Sequence, residues 1–172
     1  GGYPMKTLRH KFLLAQESDA QLLTPEHLPA GFELIPLPGH FFDMVGLRTP
    51  DDVIFLADCL SSQATLDKYQ ISYVYDVAAY LDTLERVKEM HAALFVPTED
   101  IAPLAQYNID KVNEIAGHIL DFCAAPHTFE EVLRHLFTSY DLAMTFEQYA
   151  LVGSTVRNYL SWLLDSEKLS AN

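Results

Sequence analysis

The feature that most constrains this chain is a series of short β-type segments that stops at a proline and gives way to helix. Met44-Val45-Gly46-Leu47-Arg48-Thr49 and Asp52-Val53-Ile54-Phe55-Leu56-Ala57 flank Pro50-Asp51, a turn signal that predicts a hairpin. Ahead of it, Phe32-Glu33-Leu34-Ile35-Pro36-Leu37 reads as a strand closed by Pro38-Gly39. Behind it, Val77, Tyr80, Leu81, Leu84 and Val87 recur at helical spacing, with Asp76 placed to cap the start. Ala93-Leu94-Phe95-Val96 is then a short buried strand ending at Pro97. Strand, hairpin, helix, strand predicts an α/β sandwich layer, and a layer this small cannot cover both faces of its own sheet. The segment 53–57 is apolar at successive positions, which predicts that both faces of that strand are covered.

From Thr98 onward the pattern is helical. Ile101, Ala105, Ile109, Val112, Ala116, Ile119 and Cys123 mark one face of a long helix, in which Gly117 costs about 1 kcal/mol relative to alanine. Thr128-Phe129-Glu130-Glu131 and Thr145-Phe146-Glu147-Gln148 both read as capping boxes. Gly153-Ser154 predicts a break between two helices, the second carrying Val156, Tyr159, Leu160, Leu163 and Leu164 inward. Three short helices broken in this way resemble a helix-turn-helix bundle. The expected organisation is therefore an α/β part over 1–97 and a helical tail over 98–172.

Charge narrows the function classes. With 24 acids against 11 lysines and arginines the chain carries −13, which repels nucleic-acid backbones and anionic lipid. The helical part carries only Lys111, Arg134, Arg157 and Lys168 from Pro103 on, too few cations for phosphate contacts, and is expected to be a packing, lid or dimerisation module. Apolar runs such as Val53-Ile54-Phe55-Leu56-Ala57 stop far short of the roughly 20 residues of a membrane-spanning helix. Cys59 and Cys123 lie in separate elements without Cys-x-x-Cys spacing, which predicts free thiols and a cytoplasmic protein.

One constellation carries chemistry. Pro38-Gly39-His40 directly follows a strand, and Ala57-Asp58 ends another. An imidazole and a carboxylate at neighbouring strand ends are two ligands of a zinc-type or iron site. Tyr69, Tyr73 and Tyr75 lie between Asp58 and the next helix, where they either line a substrate mouth or pack over a core edge. No Gly-x-Ser-x-Gly elbow, phosphate-cradling loop with lysine or Cys-x-x-Cys competes with this reading.

From Phe32 to Pro97 these motifs resemble the metallo-β-lactamase-fold hydrolases: strand, Pro-Gly-His, hairpin, strand ending in Ala57-Asp58, a helix with Tyr80, Leu81, Leu84 and Val87, and a strand ending in proline. The resemblance implies part of an αβ/βα sandwich followed by a winged-helix-like helical tail. It implies that His40 ligates one divalent metal and that Asp58 bridges two, with zinc the expected metal and a diiron relative a further possibility. The implied reaction is hydrolysis of a small ester, thioester, lactam-like or phosphodiester bond.

The departures are equally informative. The family's His-x-His-x-Asp-His cluster is absent from these 172 residues. In many members two glycines follow that cluster, so Gly1-Gly2 fits a chain that begins just past its metal motif, the competing reading being a cloning remnant. Members continue from the last strand into a Pro-x-His turn, whereas Pro97 runs into Thr98-Glu99-Asp100; Glu99 either replaces that histidine or belongs to an acidic helix start. Two ligands fall short of the three that catalytic zinc needs, so the polypeptide alone is expected to bind metal weakly or not at all. The alternative is a non-catalytic interaction or regulatory module that has lost its site. On either reading, half a sandwich predicts self-association or association with a missing half.

Overall fold

The computed structural model describes residues 17–96, 98 and 100–171. Gly1, Gly2, Pro97 and Glu99, which figured in the sequence reading, lie outside the described residues.

A four-stranded sheet is built from β1 (Glu33–Pro36), β2 (Val45–Arg48), β3 (Val53–Phe55) and β4 (Leu94–Val96), in that spatial order. β1 with β2 and β2 with β3 are antiparallel, and β3 with β4 is parallel. It follows that β1, β3 and β4 run in the same direction, and their carboxyl ends share one edge of the sheet. The β2–β3 hairpin turns as expected: the Thr49 amide donates to the Val53 carbonyl at 2.9 Å, and Arg48 pairs with the Asp52 carboxylate. The other oxygen of Asp52 accepts from the Ala93 amide at 2.9 Å, so the turn also fixes the start of β4.

Among the described residues the α-helices are α1 (Gln63–Tyr69), α2 (Val77–Lys88), α3 (Ile101–Phe122), α4 (Phe129–Ser139) and α5 (Phe146–Asp165). Asp76 caps α2, accepting from the Ala79 amide at 2.9 Å, and Thr128 and Glu131 close a reciprocal capping box on α4. α1 and the 3-10 turn Ala57–Cys59 were absent from the sequence expectation, being too short to carry a period. α2 lies between the sheet and α3, with Tyr80, Leu84 and Val87 buried. Each such side chain contributes roughly 1.5–3 kcal/mol by leaving water. One hydrophobic core runs from Leu37, Ile54 and Phe95 through α2 to Ile109, Ile119, Leu136 and Leu163, crossing the composition change at residue 97.

Two expectations are corrected. The break at Gly153-Ser154 does not exist: α5 is continuous from Phe146 to Asp165. Val152, Val156, Tyr159 and Leu163 keep one buried face through that point, and this burial outweighs the roughly 1 kcal/mol that a helical glycine costs. The tail is thus a long helix and two further helices, and no strand follows β4 among the described residues to serve as a wing.

The second correction concerns β3, whose two faces are not both covered. Register places Leu34, Pro36, Val45, Leu47, Val53, Phe55, Leu94 and Val96 on one face of the sheet. All eight are apolar and none is buried, with Val45 40%, Phe55 43% and Leu94 39% exposed. The opposite face, with Ile54 and Phe95, is the one that meets the core. The outer face is thus left open among the described residues, in keeping with a layer too small to cover both faces of its own sheet.

Candidate functional site

The common carboxyl edge of β1, β3 and β4 gathers the loops that carry His40 and Asp58. The first loop is pinned by α2. Gly39 sits at φ +123°, and a Cβ there would lie 2.3 Å from the Tyr80 backbone, so only glycine lets the loop approach the helix this closely. Its carbonyl accepts from the amides of Tyr75 and Asp76, both at 2.9 Å. The Thr83 hydroxyl donates to the Pro38 carbonyl at 2.7 Å, and the Arg86 guanidinium donates to the Pro36 carbonyl at 3.1 Å. His40 thus leaves a rigid turn half-buried, with the Tyr73 ring edge-on to it at 5.6 Å between centroids.

The second loop begins at the end of β3, which the Leu56 amide ties to the Val96 carbonyl at 3.1 Å. Ala57 then adopts φ +49° and Asp58 φ −90°, ψ 17°, two sparsely populated conformations in succession. The turn exposes the Asp58 carboxylate and buries the Cys59 thiol. Burial, reinforced by the Asp58 charge, pushes that thiol up to about 12, which leaves it protonated and unreactive at neutral pH.

Beyond Cys59, α3 takes over. Asn108, 2% exposed, accepts from the Ser61 amide at 3.1 Å and the Tyr80 hydroxyl at 3.1 Å, and donates to the carbonyls of Ser61 at 2.9 Å and Leu104 at 2.8 Å. All four bonds fix the orientation of its amide, because a flip would set donor against donor. A third loop, carrying Tyr73 and Tyr75, is held by α5: the Asn158 amide donates to the Val74 carbonyl at 2.8 Å. Neither asparagine was singled out from the sequence. The available signal was a polar residue on or beside the apolar stripe of a helix, as with Asn108 next to Ile109.

The electrostatics join His40 to Asp58. Burial lowers the pKa of His40 below the ordinary histidine value, while the Asp58 charge and a backbone hydrogen bond with Tyr73 pull it back up. At neutral pH the imidazole is therefore uncharged, with a lone pair available, near an exposed carboxylate. That donor chemistry suits a divalent cation of the zinc type. The number of donors does not suffice: among the described residues no group of three His, Cys, Asp or Glu could hold a metal ion.

The remaining histidines stand elsewhere. His27 bonds locally with Thr24, and His127 and His135 stack on the two sides of Phe122 in the helical part, with centroids at 3.9 and 4.1 Å. Of the tyrosines, Tyr73 contacts His40, Tyr75 joins Phe41 and Phe42, and Tyr69 is exposed at the end of α1. A groove of about 610 Å³ lies between the ends of α3 and α5, lined by Cys123, Phe129 and Leu164 and by none of the residues of the sheet edge.

No protein-family model matches the sequence, and no curated protein matches it. Among solved structures, the chain is similar to a metallo-beta-lactamase family protein from Thermus thermophilus, with a TM-score of 0.58 at 16% identity. The likeness is one of fold. It covers 79% of this chain but 44% of that one, so this chain spans less than half the length of its structural neighbour. What the two share is the arrangement of the four-stranded sheet and its helices. No helix of the described residues is long and apolar enough to cross a membrane.

Proposed function

We propose that His40 and Asp58 are this chain's contribution to a metal-dependent hydrolase site of the metallo-β-lactamase type, with His40 ligating one divalent ion and Asp58 bridging two. The remaining ligands come from outside the described residues. The observation that supports this reading is the convergence of a neutral imidazole and an exposed carboxylate on one sheet edge, each on a loop clamped by helix side chains. The fold likeness supplies the reaction class, an argument by analogy that the site itself must sustain. A zinc-type ion, when bound, lowers the pKa of its water toward 7 and polarises the bond to be cleaved. The residues here supply fixed positions: Gly39 and Thr83 hold the His40 turn, Asn108 holds the segment after Asp58, and burial keeps the imidazole unprotonated. The substrate class is a small molecule with an ester, thioester, lactam-like or phosphodiester bond.

The test is a titration of the chain with Zn²⁺, read on the imidazole resonances. Weak binding that shifts His40 first and is abolished by Asp58→Asn supports the site. Zinc that moves His127 and His135 while His40 stays unmoved overturns it.

A second reading, a non-catalytic interaction module, draws support from the open apolar face of the sheet. On that reading zinc leaves His40 untouched, and the outer face alone accounts for the partners.

A further inference from the structure

We infer that Phe41, Phe42 and Tyr75 form the wall that receives a neutral aliphatic acyl group of the substrate. The inference rests on the reading of the His40–Asp58 edge as a hydrolytic site and names the kind of molecule that site takes.

His40 is followed at once by two phenylalanines, where a surface loop ordinarily carries polar residues. Phe41 is 46% exposed, Phe42 53% and Tyr75 47%. The three rings touch one another, with centroids at 4.4 Å for the phenylalanine pair and at 6.0 and 5.6 Å from each to Tyr75. Their place is the loop edge beside His40, and none of them belongs to the strands whose outer face lies open.

The cluster is held in advance of any ligand. The Leu37 amide donates to the Met44 carbonyl at 2.8 Å and closes the base of the loop, and the Gly39 amide donates to the Phe41 carbonyl at 3.2 Å. The Tyr75 amide donates to the Gly39 carbonyl, so the segment bearing the third ring is bonded to the turn that bears His40. A wall anchored through its backbone loses little entropy when a ligand docks.

Ring geometry and charge select the ligand. Interplanar angles of 35°, 54° and 58° leave no parallel slot for a flat aromatic ring, whereas a flexible chain can follow tilted faces and edges. The charged neighbours in sequence, Asp43 and Asp76, are both acidic and repel an anionic tail. A neutral hydrocarbon chain attached to an ester or thioester carbonyl fits both observations.

The test uses uncharged, unreactive surrogates: a series of linear amides from butanamide to octanamide, titrated into the chain and followed on the ring resonances of Phe41, Phe42 and Tyr75. Affinity is expected to rise about two- to fourfold per added methylene, the upper figure being that of full burial. Phe42→Ala and Tyr75→Ala, both at exposed positions, should flatten that dependence while leaving the folded spectrum intact. No dependence on chain length, an undiminished dependence in the variants, or tighter binding of benzamide than of heptanamide overturns the inference. Because no metal is needed, this outcome is separable from that of the zinc titration: a length dependence without zinc at His40 refutes the hydrolase reading alone.

Discussion

The side chain of Asn108 in α3 meets the backbone of Ser61 from both sides, accepting from its amide at 3.1 Å and donating to its carbonyl at 2.9 Å. A helix residue thereby completes the hydrogen bonding of a loop three residues after Asp58, as a neighbouring strand would.

Asn108→Ala is expected to cost about 2–4 kcal/mol, because it strands the Ser61 backbone groups and the buried Tyr80 hydroxyl together. Urea unfolding measures the loss. A change below about 0.5 kcal/mol would show that the loop finds equivalent partners without the amide.

The charge of Asp58 raises the pKa of His40 against the larger effect of burial. Asp58→Asn is therefore expected to lower the His40 titration midpoint further, as read from its imidazole proton shifts. An unchanged midpoint would mean that the two groups do not interact. The folded-state pKa lies below the unfolded value, so this histidine's contribution to stability is complete above about 6.5 and declines as pH falls toward the folded pKa. Replacing His40 by glutamine should make acid unfolding less steep in that window.

Gly39→Ala is expected to destabilise by about 2 kcal/mol or more and to separate the His40 and Tyr73 rings, since a Cβ would collide with the Tyr80 backbone at 2.3 Å. Gly117→Ala is the counterpart, with nothing within 4 Å of the added carbon and a gain of about 0.5–1 kcal/mol from helix propensity. Paired thermal melts of the two variants check both signs.

The apolar outer face of the sheet should drive association. Sedimentation at rising concentration is expected to show species heavier than the 19.4 kDa monomer. Lysine at Phe55 and Leu94, which share that face, should return the chain to monomer. A compact monomer at every concentration would contradict the exposed layer.

Much of this was legible in the residues. Pro50-Asp51 announced the hairpin, Asp76 and Thr128 announced two helix starts, and Pro38-Gly39-His40 with Ala57-Asp58 marked two loops that leave the same edge of the sheet. Where the reading failed, a local signal had been given priority over a longer pattern. Gly153-Ser154 looked like a break, yet Val152, Val156 and Tyr159 continue one buried stripe through it. The continuous apolar run at Val53-Ile54-Phe55 looked doubly buried, yet hydrophobicity records that a face wants cover and is silent on what supplies it. The partners of Asn108 and Asn158 could not be named from local pattern, because they lie 47 and 84 residues away along the chain.

Those two long-range amides tie the halves of the molecule into one heritable unit. A recombination event that joined this sheet to a foreign helical segment would have to deliver an asparagine at two matching heights, one for Ser61 and one for Val74, or else release both loops that frame His40. The helices are therefore part of the scaffold that aims the sheet edge, and exchange of one half without the other should be rare.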